Sequence, residues 1–364
     1  MPHDLPHFWR RRTFTSYLLL PLSALFALIT ACRRALYRAG ILRQYRAPVP
    51  VLIVGNISVG GNGKTPLVQA LARAFQAEGI AVGIISRGYG GTAREATDVA
   101  TCADAAIVGD EPLMLWHSTG VPVVVARKRA EAAQKLLRDY PATRLILADD
   151  GLQHYALARD AEIAVIAADF GLGNGWLMPA GPLRESAARL KRVDAVVHSG
   201  AGQGRAGGYS RPPKASYGVA PLRRTKAYCL QRRALSETFG ERLYILRYAS
   251  DGVRPLGGGV LQPLARLNDC PLYALTAIAR PERLFNSLRA QGAELAATRS
   301  LPDHAAIPAD AAAFAEDGWL VISGKDAVKT AAWPEALKTR TFVVDYRAVL
   351  PPELLPALRC KLGV

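Results

Sequence analysis

Short apolar runs alternate with longer amphipathic segments along most of this chain, beginning near residue 49. Strands are predicted at 51–54 and 80–85, with a helix at 66–78 between them. The alternation continues with predicted strands at 121–125, 145–148 and 163–167 and a helix at 129–140. Continuous apolar runs are typical of strands buried on both faces, and βα repeats form parallel sheets covered by helices. The pattern therefore predicts an α/β domain built on a parallel sheet.

A second, smaller α/β domain is predicted towards the carboxyl end. Between residues 199 and 260 the alternation is lost in stretches rich in glycine, proline and arginine, which indicates a linker or insertion. Beyond it we expect strands at 273–278, 319–323 and 341–344 and helices at 281–291 and near 352–360. The predicted organisation is an amino-terminal segment (1–46), a first domain (47–200), a linker or insertion (201–260) and a smaller domain with a carboxyl-terminal helix (261–364).

The amino-terminal segment contains 20 residues without a charge, 13–32, between arginines at 10–12 and 33–34. About 20 apolar residues are just enough to span a bilayer, so a spanning helix, a cleaved signal peptide and a helix lying at the membrane surface all fit. Pro21, Ser23 and Thr30 interrupt the apolar run, and arginines on both flanks give no orientation bias. We therefore expect a monotopic or shallowly inserted helix.

The chain has 364 residues and a formal net charge of +16. Residues 1–46 carry eight arginines against one acid, and 199–250 carry ten basic residues against two acids, so nearly all of the excess lies there. One basic block brackets the apolar segment, which favours an anionic membrane surface over nucleic acid as partner. The five cysteines are far apart and include no C-x-x-C pair, which argues against both a disulfide framework and a zinc site.

A glycine-rich turn follows the first predicted strand and opens the first predicted helix. It reads Gly60, Gly61, Asn62, Gly63, Lys64 and Thr65. In a Walker A loop the backbone N–H groups hold phosphates, the lysine reaches the β- and γ-phosphates, and the hydroxyl binds Mg²⁺. Ser58 stands where the pattern usually has glycine. Together with the family resemblance given below, which implies two Rossmann-like α/β/α domains, the expected fold class is two such domains, the first with a P-loop NTPase-type parallel sheet, preceded by a membrane-associated helix.

Carboxylates stand directly after predicted strands, at the sheet edge where open α/β sheets bind ligands. Asp149 and Asp150 follow the strand at 145–148, and one of them should serve Mg²⁺. Asp110 lies at another strand-to-helix turn, beside Glu111. His304 taken alone is more often structural than catalytic.

Together these motifs resemble the tetraacyldisaccharide 4′-kinase family of the lipid A pathway, over about residues 50–329. The matching stretches are 55–66, 86–90, 109–112, 149–154, 173–175, 179–185 and 325–329. The resemblance implies transfer of the γ-phosphoryl group of ATP, with Mg²⁺, to the 4′-hydroxyl of a tetraacylated glucosamine disaccharide 1-phosphate. It implies an enzyme on the cytoplasmic face of the bacterial inner membrane, with an acidic glycolipid as substrate and no nucleic acid partner.

The resemblance also implies site residues. Asp110 would accept the proton of the sugar hydroxyl and His304 would assist it; Lys64 and Arg129 would complete the catalytic set, with Arg127 left open as the alternative. Nucleotide binding falls on Gly60, Gly61, Asn62, Gly63, Lys64, Thr65 and Gln153, and the metal on Thr65, Asp149, Asp150 and Glu185.

The chain departs from the family pattern at Ser323-Gly324, at 277–279 and in an expanded 199–260. These departures bear on the smaller domain. The main alternative function is a P-loop ATPase or GTPase acting as a switch at the membrane, in which Asp110 would position water. A nucleic-acid-stimulated ATPase and a non-catalytic membrane adaptor are further alternatives.

Overall fold

The computed structural model describes residues 6–60, 63–168, 170–199, 235–278 and 281–364, and these form two compact units. The P-loop unit contains described residues from 6–199, 235–246 and 350–364. The second unit contains described residues from 247–349. The P-loop unit therefore includes the carboxyl-terminal helix, which the sequence pattern had grouped with the smaller domain.

The amino-terminal segment is helical. A short 3₁₀ turn at His7–Trp9 precedes α1 (Phe14–Leu18) and α2 (Leu20–Arg38). Thr13 and Ser16 form a capping box that starts α1. Proline is tolerated in the first turn of α2 because the N–H groups there have no intrahelical acceptor.

Seven strands form the sheet of the P-loop unit, with the first residues of an eighth. They are β1 (Val51–Gly55), β2 (Val82–Ser86), β3 (Thr97–Asp98), β4 (Val123–Val125), β5 (Leu145–Asp149), β6 (Ala161–Ala167), β7 (Ala195–Ser199) and β8 (Leu243–Pro255). The order is β8-β7-β6-β1-β5-β2-β4-β3, parallel except that β3 is antiparallel to β4. β1 lies between β5 and β6, and the pairing of Val54 with Asp149 sets the end of β5 beside the start of the P-loop.

Helices cover both faces of this sheet, so β1, β2 and β4–β7 are buried throughout. The remaining helices of the unit are α3 (Lys64–Ala77), α4 (Ala105–Val108), α5 (Asp110–Thr119), α6 (Arg129–Asp139) and, near the carboxyl end, α10 (Leu354–Leu362). On one face, Leu136 of α6 packs with Ile53 and Ile146. Apolar strands of this kind lose water on both faces, which is the main driving force for the layered arrangement.

The second unit is a smaller sheet with helices on both faces. Its strands are β9 (Leu272–Thr276), β10 (Leu295–Ser300), β11 (Trp319–Ser323), β12 (Thr341–Val349) and the later part of β8, in the order β10-β9-β11-β12-β8. β8 is antiparallel to β12, and the other pairs are parallel. α7 (Pro281–Ala290) packs on one face; a 3₁₀ helix at Ala309–Ala315 and α9 (Glu335–Thr339) lie on the other, and α8 (Gly324–Ala327) follows β11.

The two α/β units, each with helices on both faces of its strands, and the apolar amino-terminal helix agree with the predicted fold class. One part of the predicted organisation needs correction, because 243–255 is strand β8 and not linker. The sequence signal was weak there, since arginine and tyrosine alternate with the apolar residues and the neighbouring stretches are rich in glycine and arginine. The rest of the predicted linker, 201–234, lies outside the described residues.

Candidate active site

The P-loop joins β1 to α3 and ends on a glycine that no other residue could replace without strain. Gly63 caps the amino terminus of α3 with a φ of 80°, a left-handed conformation that side chains disfavour. Gly60 has a φ of 110°. Gly61 and Asn62, both predicted to bind nucleotide, lie outside the described residues. The start of α3 supplies the N–H groups and positive helix end that hold phosphates in this motif.

Lys64 is the first residue of α3, and two polar side chains hold its ammonium group. Its Nζ donates to Asn56 Oδ1 at 3.2 Å and lies 3.5 Å from Asp150 Oδ1. Asn56 is fully buried and donates from Nδ2 to the carbonyl of Gly60 at 3.3 Å. The lysine is therefore positioned by a side chain that also fixes the loop.

Oxygen atoms of Thr65, Asp149 and Glu111 converge beside the P-loop. The Thr65 hydroxyl lies 3.5 Å from Asp149 Oδ2 and 3.4 Å from Glu111 Oε2. Asp149 is buried at the end of β5, and its Oδ1 has no hydrogen-bond partner among the described residues. Burial and then the neighbouring Glu111 carboxylate raise the pKa of Asp149 to about 7.

This oxygen cluster fits Mg²⁺. A hard divalent cation bound between the two carboxylates would pair with the buried carboxylate oxygen that lacks a hydrogen bond, and it would reduce the repulsion between them. The described residues contain no cluster of three or more His, Cys, Asp or Glu side chains that would enclose a metal. Mg²⁺ commonly binds through one or two carboxylates together with substrate phosphates, so such a cluster is not needed. Of the predicted metal set, Thr65 and Asp149 lie in this cluster, with Glu111 beside them; their role in binding metal stays a prediction.

Asp150 has a different environment from its neighbour. Although burial opposes ionisation, Lys64 and Arg184 lower the pKa of Asp150 to about 2. Arg184 Nη1 lies 3.3 Å from Asp150 Oδ2. The backbone of Asp150 has a φ of 51°, in the left-handed region. Such strain is concentrated at functional sites, where the surrounding structure holds it in place.

Arg129 is buried at the start of α6, whereas Arg127 is exposed. The Arg129 guanidinium donates to the carbonyls of Asp149 and Ala126 at 2.9 and 3.1 Å. Burial lowers the pKa of Arg129 to about 10, so the side chain remains charged at neutral pH. Between the two alternatives, the structure places Arg129 against the end of β5.

Asp110 is buried at the first position of α5. Gly109 before it has a φ of 91°, and a Cβ there would lie 2.7 Å from the carbonyl oxygen of Tyr89. Glycine is therefore required for the turn that delivers Asp110. The next residue, Glu111, contacts Thr65, so Asp110 belongs to the neighbourhood of the P-loop.

Glu185 is buried and surrounded by donors. Its carboxylate accepts from Gln153 Nε2 at 3.0 Å and from the Tyr155 hydroxyl at 2.6 Å, and it pairs with Arg34 and Arg189 at 3.2 and 3.5 Å. Gln153 also donates to the carbonyl of Asn56 at 3.1 Å. Glu185 is therefore the centre of a polar network that reaches Asn56, next to the P-loop, through Gln153.

His304 lies in the second unit, after β10. It has a φ of 62°, and with Asp150 it is one of two non-glycine residues in the left-handed region among those the structure describes. Lys325 Nζ lies 3.3 Å from both His304 Nε2 and Asp303 Oδ1. A strained histidine next to a lysine is a better functional candidate than the sequence alone suggested.

Four residues take part in this site that the sequence had not assigned a role. They are Arg34, Asn56, Glu111 and Arg184. Glu111 and Arg184 adjoin predicted site residues and could have been found by that proximity. Arg34 lies 151 positions from its partner, and no local pattern indicates such a contact.

A Walker A lysine and hydroxyl, with a buried carboxylate at the end of the neighbouring strand, define the nucleotide site of the P-loop NTPase class. The sequence profile of the tetraacyldisaccharide-1-P 4′-kinase family matches residues 15–362. The chain belongs to this family.

Individual relatives agree. The chain is 41% identical to the tetraacyldisaccharide 4′-kinase of Dichelobacter nodosus over 355 residues, which cover 98% of this chain and 96% of the relative. It is 41% identical to that of Chromobacterium violaceum over 365 residues, covering 98% and 96%. Among solved structures, LpxK from Aquifex aeolicus in complex with ATP superimposes with a TM-score of 0.72 at 23% identity, covering 96% of this chain and 100% of that one. That structure confirms the fold.

Proposed function

We propose that this member of the family transfers the γ-phosphoryl group of ATP to the 4′-hydroxyl of a tetraacylated glucosamine disaccharide 1-phosphate, with Asp110 as the base. The observation that carries the proposal is the convergence of Lys64, Thr65 and Asp149 beside the P-loop in a chain of the 4′-kinase family. The enzyme is an ATP-dependent kinase, and its substrate is a glycolipid precursor of lipid A.

Nucleotide binding is assigned to the P-loop backbone and Lys64, whose ammonium group is held by Asn56 within reach of the loop. Thr65, Asp149 and Glu111 would hold Mg²⁺, which when bound neutralises charge on the phosphates. Arg129 fixes the end of β5 through the Asp149 carbonyl, so it orients the metal-binding carboxylate. Asp150 tethers Lys64 and Arg184 in their positions.

Phosphoryl transfer then requires positioning and a base. As the 4′-oxygen forms its bond to the γ-phosphorus, the bond to the β-phosphate oxygen breaks and ADP leaves. The proton of the sugar hydroxyl passes to Asp110, whose position at the start of α5 next to Glu111 supports this role. We assign His304 the assisting role that the family resemblance implies; its strained backbone and its contact with Lys325 support a functional part.

We propose further that the enzyme works on the cytoplasmic face of the inner membrane, held there by α2. This helix has 19 residues and is long and apolar enough to cross a membrane. Its apolar side chains Leu22, Leu25 and Ile29 are more than half exposed, whereas its polar Ser23 is buried. In a helix on the surface of a soluble protein the apolar side chains are buried and the polar ones are exposed. The exposed apolar face of α2 is therefore suited to contact with lipid. The flanking arginines suit anionic headgroups.

The test is direct detection of the product. The full-length enzyme is incubated with the disaccharide 1-phosphate, ATP and Mg²⁺ in detergent micelles, and lipid is analysed by mass spectrometry. We expect one added phosphate on the lipid, matched by one ADP. Lys64→Ala should abolish it, while Lys128→Ala, which removes an exposed lysine of α6's amino end, should not. ADP and inorganic phosphate released at full rate without lipid would contradict the proposal and support the ATPase alternative.

A further inference from the structure

The amino-terminal segment holds the loop formed by residues 174–180. Ser23 of α2 donates from Oγ to the carbonyl of Leu177 and accepts from the N–H of Ala180, both at 2.9 Å. Trp9 Nε1 donates to the carbonyl of Pro179 at 2.9 Å. The side chain of Asn174 donates to the carbonyl of Phe8 at 2.9 Å. These hydrogen bonds join the amino-terminal segment to the loop.

The residues that follow this loop pair with the backbone of the P-loop. The N–H of Val59 donates to the carbonyl of Pro182 at 2.9 Å, and the N–H of Arg184 donates to the carbonyl of Ile57 at 2.7 Å. Ser58 and Leu183 form an antiparallel bridge between these bonds. The stretch held by the amino-terminal helices therefore holds the first half of the P-loop.

A side-chain route runs parallel to this backbone route. Arg34 of α2 pairs with Glu185 at 3.2 Å, where Glu185 is only 3% exposed. Glu185 accepts from Gln153, which donates to the carbonyl of Asn56. Asn56 in turn accepts from Lys64. Four consecutive hydrogen bonds thus connect the apolar helix to the lysine of the P-loop.

We infer that α2 is part of the catalytic machinery as well as an anchor, and that Arg34 is a positioning residue that sets the P-loop through Glu185 and Gln153. Removing one of the donors to a buried carboxylate lets that carboxylate and its other partners shift. Outer partners of this kind typically contribute about 10- to 100-fold to affinity or activity. The inference rests on the proposed function, since it assumes that the P-loop carries the phosphoryl transfer.

The test compares Arg34→Gln with Arg38→Gln in the full-length chain. Arg38 is an exposed arginine of the same helix, so both variants remove one positive charge from the membrane-facing segment. We expect Arg34→Gln to lower kcat/KM for ATP about 10- to 100-fold. Arg38→Gln should leave it unchanged, and both variants should bind anionic vesicles equally in a flotation assay. Arg34→Lys should recover part of the activity, because it restores a cation.

A double variant separates positioning from general destabilisation. If Arg34 acts through Glu185, then Arg34→Gln should have little further effect in a Glu185→Gln background. Equal kcat/KM in Arg34→Gln and Arg38→Gln, or full additivity in the double variant, would overturn the inference. Should the wild type phosphorylate no lipid, the proposed function fails, and direct binding of a fluorescent ATP analogue with Mg²⁺ decides the inference. Weaker binding in Arg34→Gln only would support it, and equal binding in both variants would refute it.

Discussion

The pKa values of two adjacent aspartates at the end of β5 are shifted in opposite directions, and this difference indicates that the two side chains have different roles. Asp149 is desolvated and faces Glu111, which raises its pKa to about 7. Asp150 faces Lys64 and Arg184, which against the effect of burial lower its pKa to about 2. Neighbouring carboxylates whose pKa values are shifted in opposite directions commonly have different functions in a reaction. Here the first is suited to a cation and the second to holding cationic side chains.

The raised pKa of Asp149 predicts how stability depends on pH in the absence of metal. Between its pKa of about 3.9 in an unfolded chain and about 7 in the fold, the folded state keeps a proton that the unfolded state has released. The free energy of unfolding therefore falls as pH rises through this window, by up to about 4 kcal/mol. Urea unfolding of the wild type against Asp149→Asn, from pH 5 to pH 8, measures this difference.

Mg²⁺ provides the control for that experiment. Added at pH 8, it should offset part of the loss in the wild type and do so less in Asp149→Asn, because the cation stabilises the ionised carboxylate. A wild-type free energy of unfolding that stays constant or rises with pH relative to that of Asp149→Asn would show that Asp149 is not desolvated as described.

Replacing Asp110 should change the turnover rate and not the binding of nucleotide. Asp110→Asn keeps the size of the side chain and one acceptor oxygen but removes the base, so we expect kcat to fall by about 10²- to 10⁴-fold. The KM for ATP should change little, because the P-loop is untouched. Asp139→Asn, on an exposed part of α6, serves as the control. A raised KM with unchanged kcat would assign Asp110 to binding instead.

At the scale of elements, the apolar patterns predicted seven of the twelve described strands within two residues of their observed ends, and the strand predicted at 341–344 continues to Val349. The strand predicted at 145–148 is observed as Leu145–Asp149, and the helix predicted at 129–140 as Arg129–Asp139. β3, β7, β8 and β10 were not predicted. The exposed or mixed residues of β8 and β10 lack such a pattern, and all but one residue of β10 are exposed. β3 has only two residues, whereas β7 is buried throughout and was missed for want of a predicted helix around it. A strong apolar pattern reflects burial, so strands whose residues are exposed or only partly buried do not show it.

Some residues of the candidate site could likewise be predicted from the sequence, and others could not. Lys64, Thr65 and Asp149 follow from local spacing, since a P-loop and a strand end are each contiguous in sequence. The contact of Arg34 depends on where distant elements pack, and sequence spacing carries no information about it. The assignments of Asp110 and His304 as a catalytic pair come from the family resemblance and stay a prediction.

The outward apolar face of α2 predicts that binding to lipid depends on its leucines. Replacing Leu22 and Leu25 by serine should weaken partition onto vesicles by about tenfold or more for each side chain that enters the lipid. Leu261→Ser changes a partly exposed leucine in the second unit and should have no effect. Vesicle flotation measures the partition. Unchanged flotation of the double variant would mean that this face meets something other than lipid.

At the scale of the whole molecule, the chain consists of two α/β units, each with its own sheet and its own core. The described part of the P-loop unit contains the lysine, the oxygens proposed to hold Mg²⁺ and the amino-terminal helices. The second unit contains His304 with Lys325 and Asp303. Nucleotide binding and the assisting role of His304 are therefore assigned to different units, and variants should separate them.

Thermal unfolding with and without Mg·ATP tests this separation. A ligand stabilises the unit that binds it, by about 2.7 kcal/mol at 100 times its Kd. Wild type and His304→Ala should therefore show equal shifts in the Tm of the P-loop unit, whereas Lys64→Ala should show none. His304→Ala should nevertheless reduce phosphoryl transfer to the lipid by about 10²- to 10⁴-fold. If His304→Ala abolished the shift in Tm, His304 would belong to the nucleotide site and its role as an assistant to the base would be wrong.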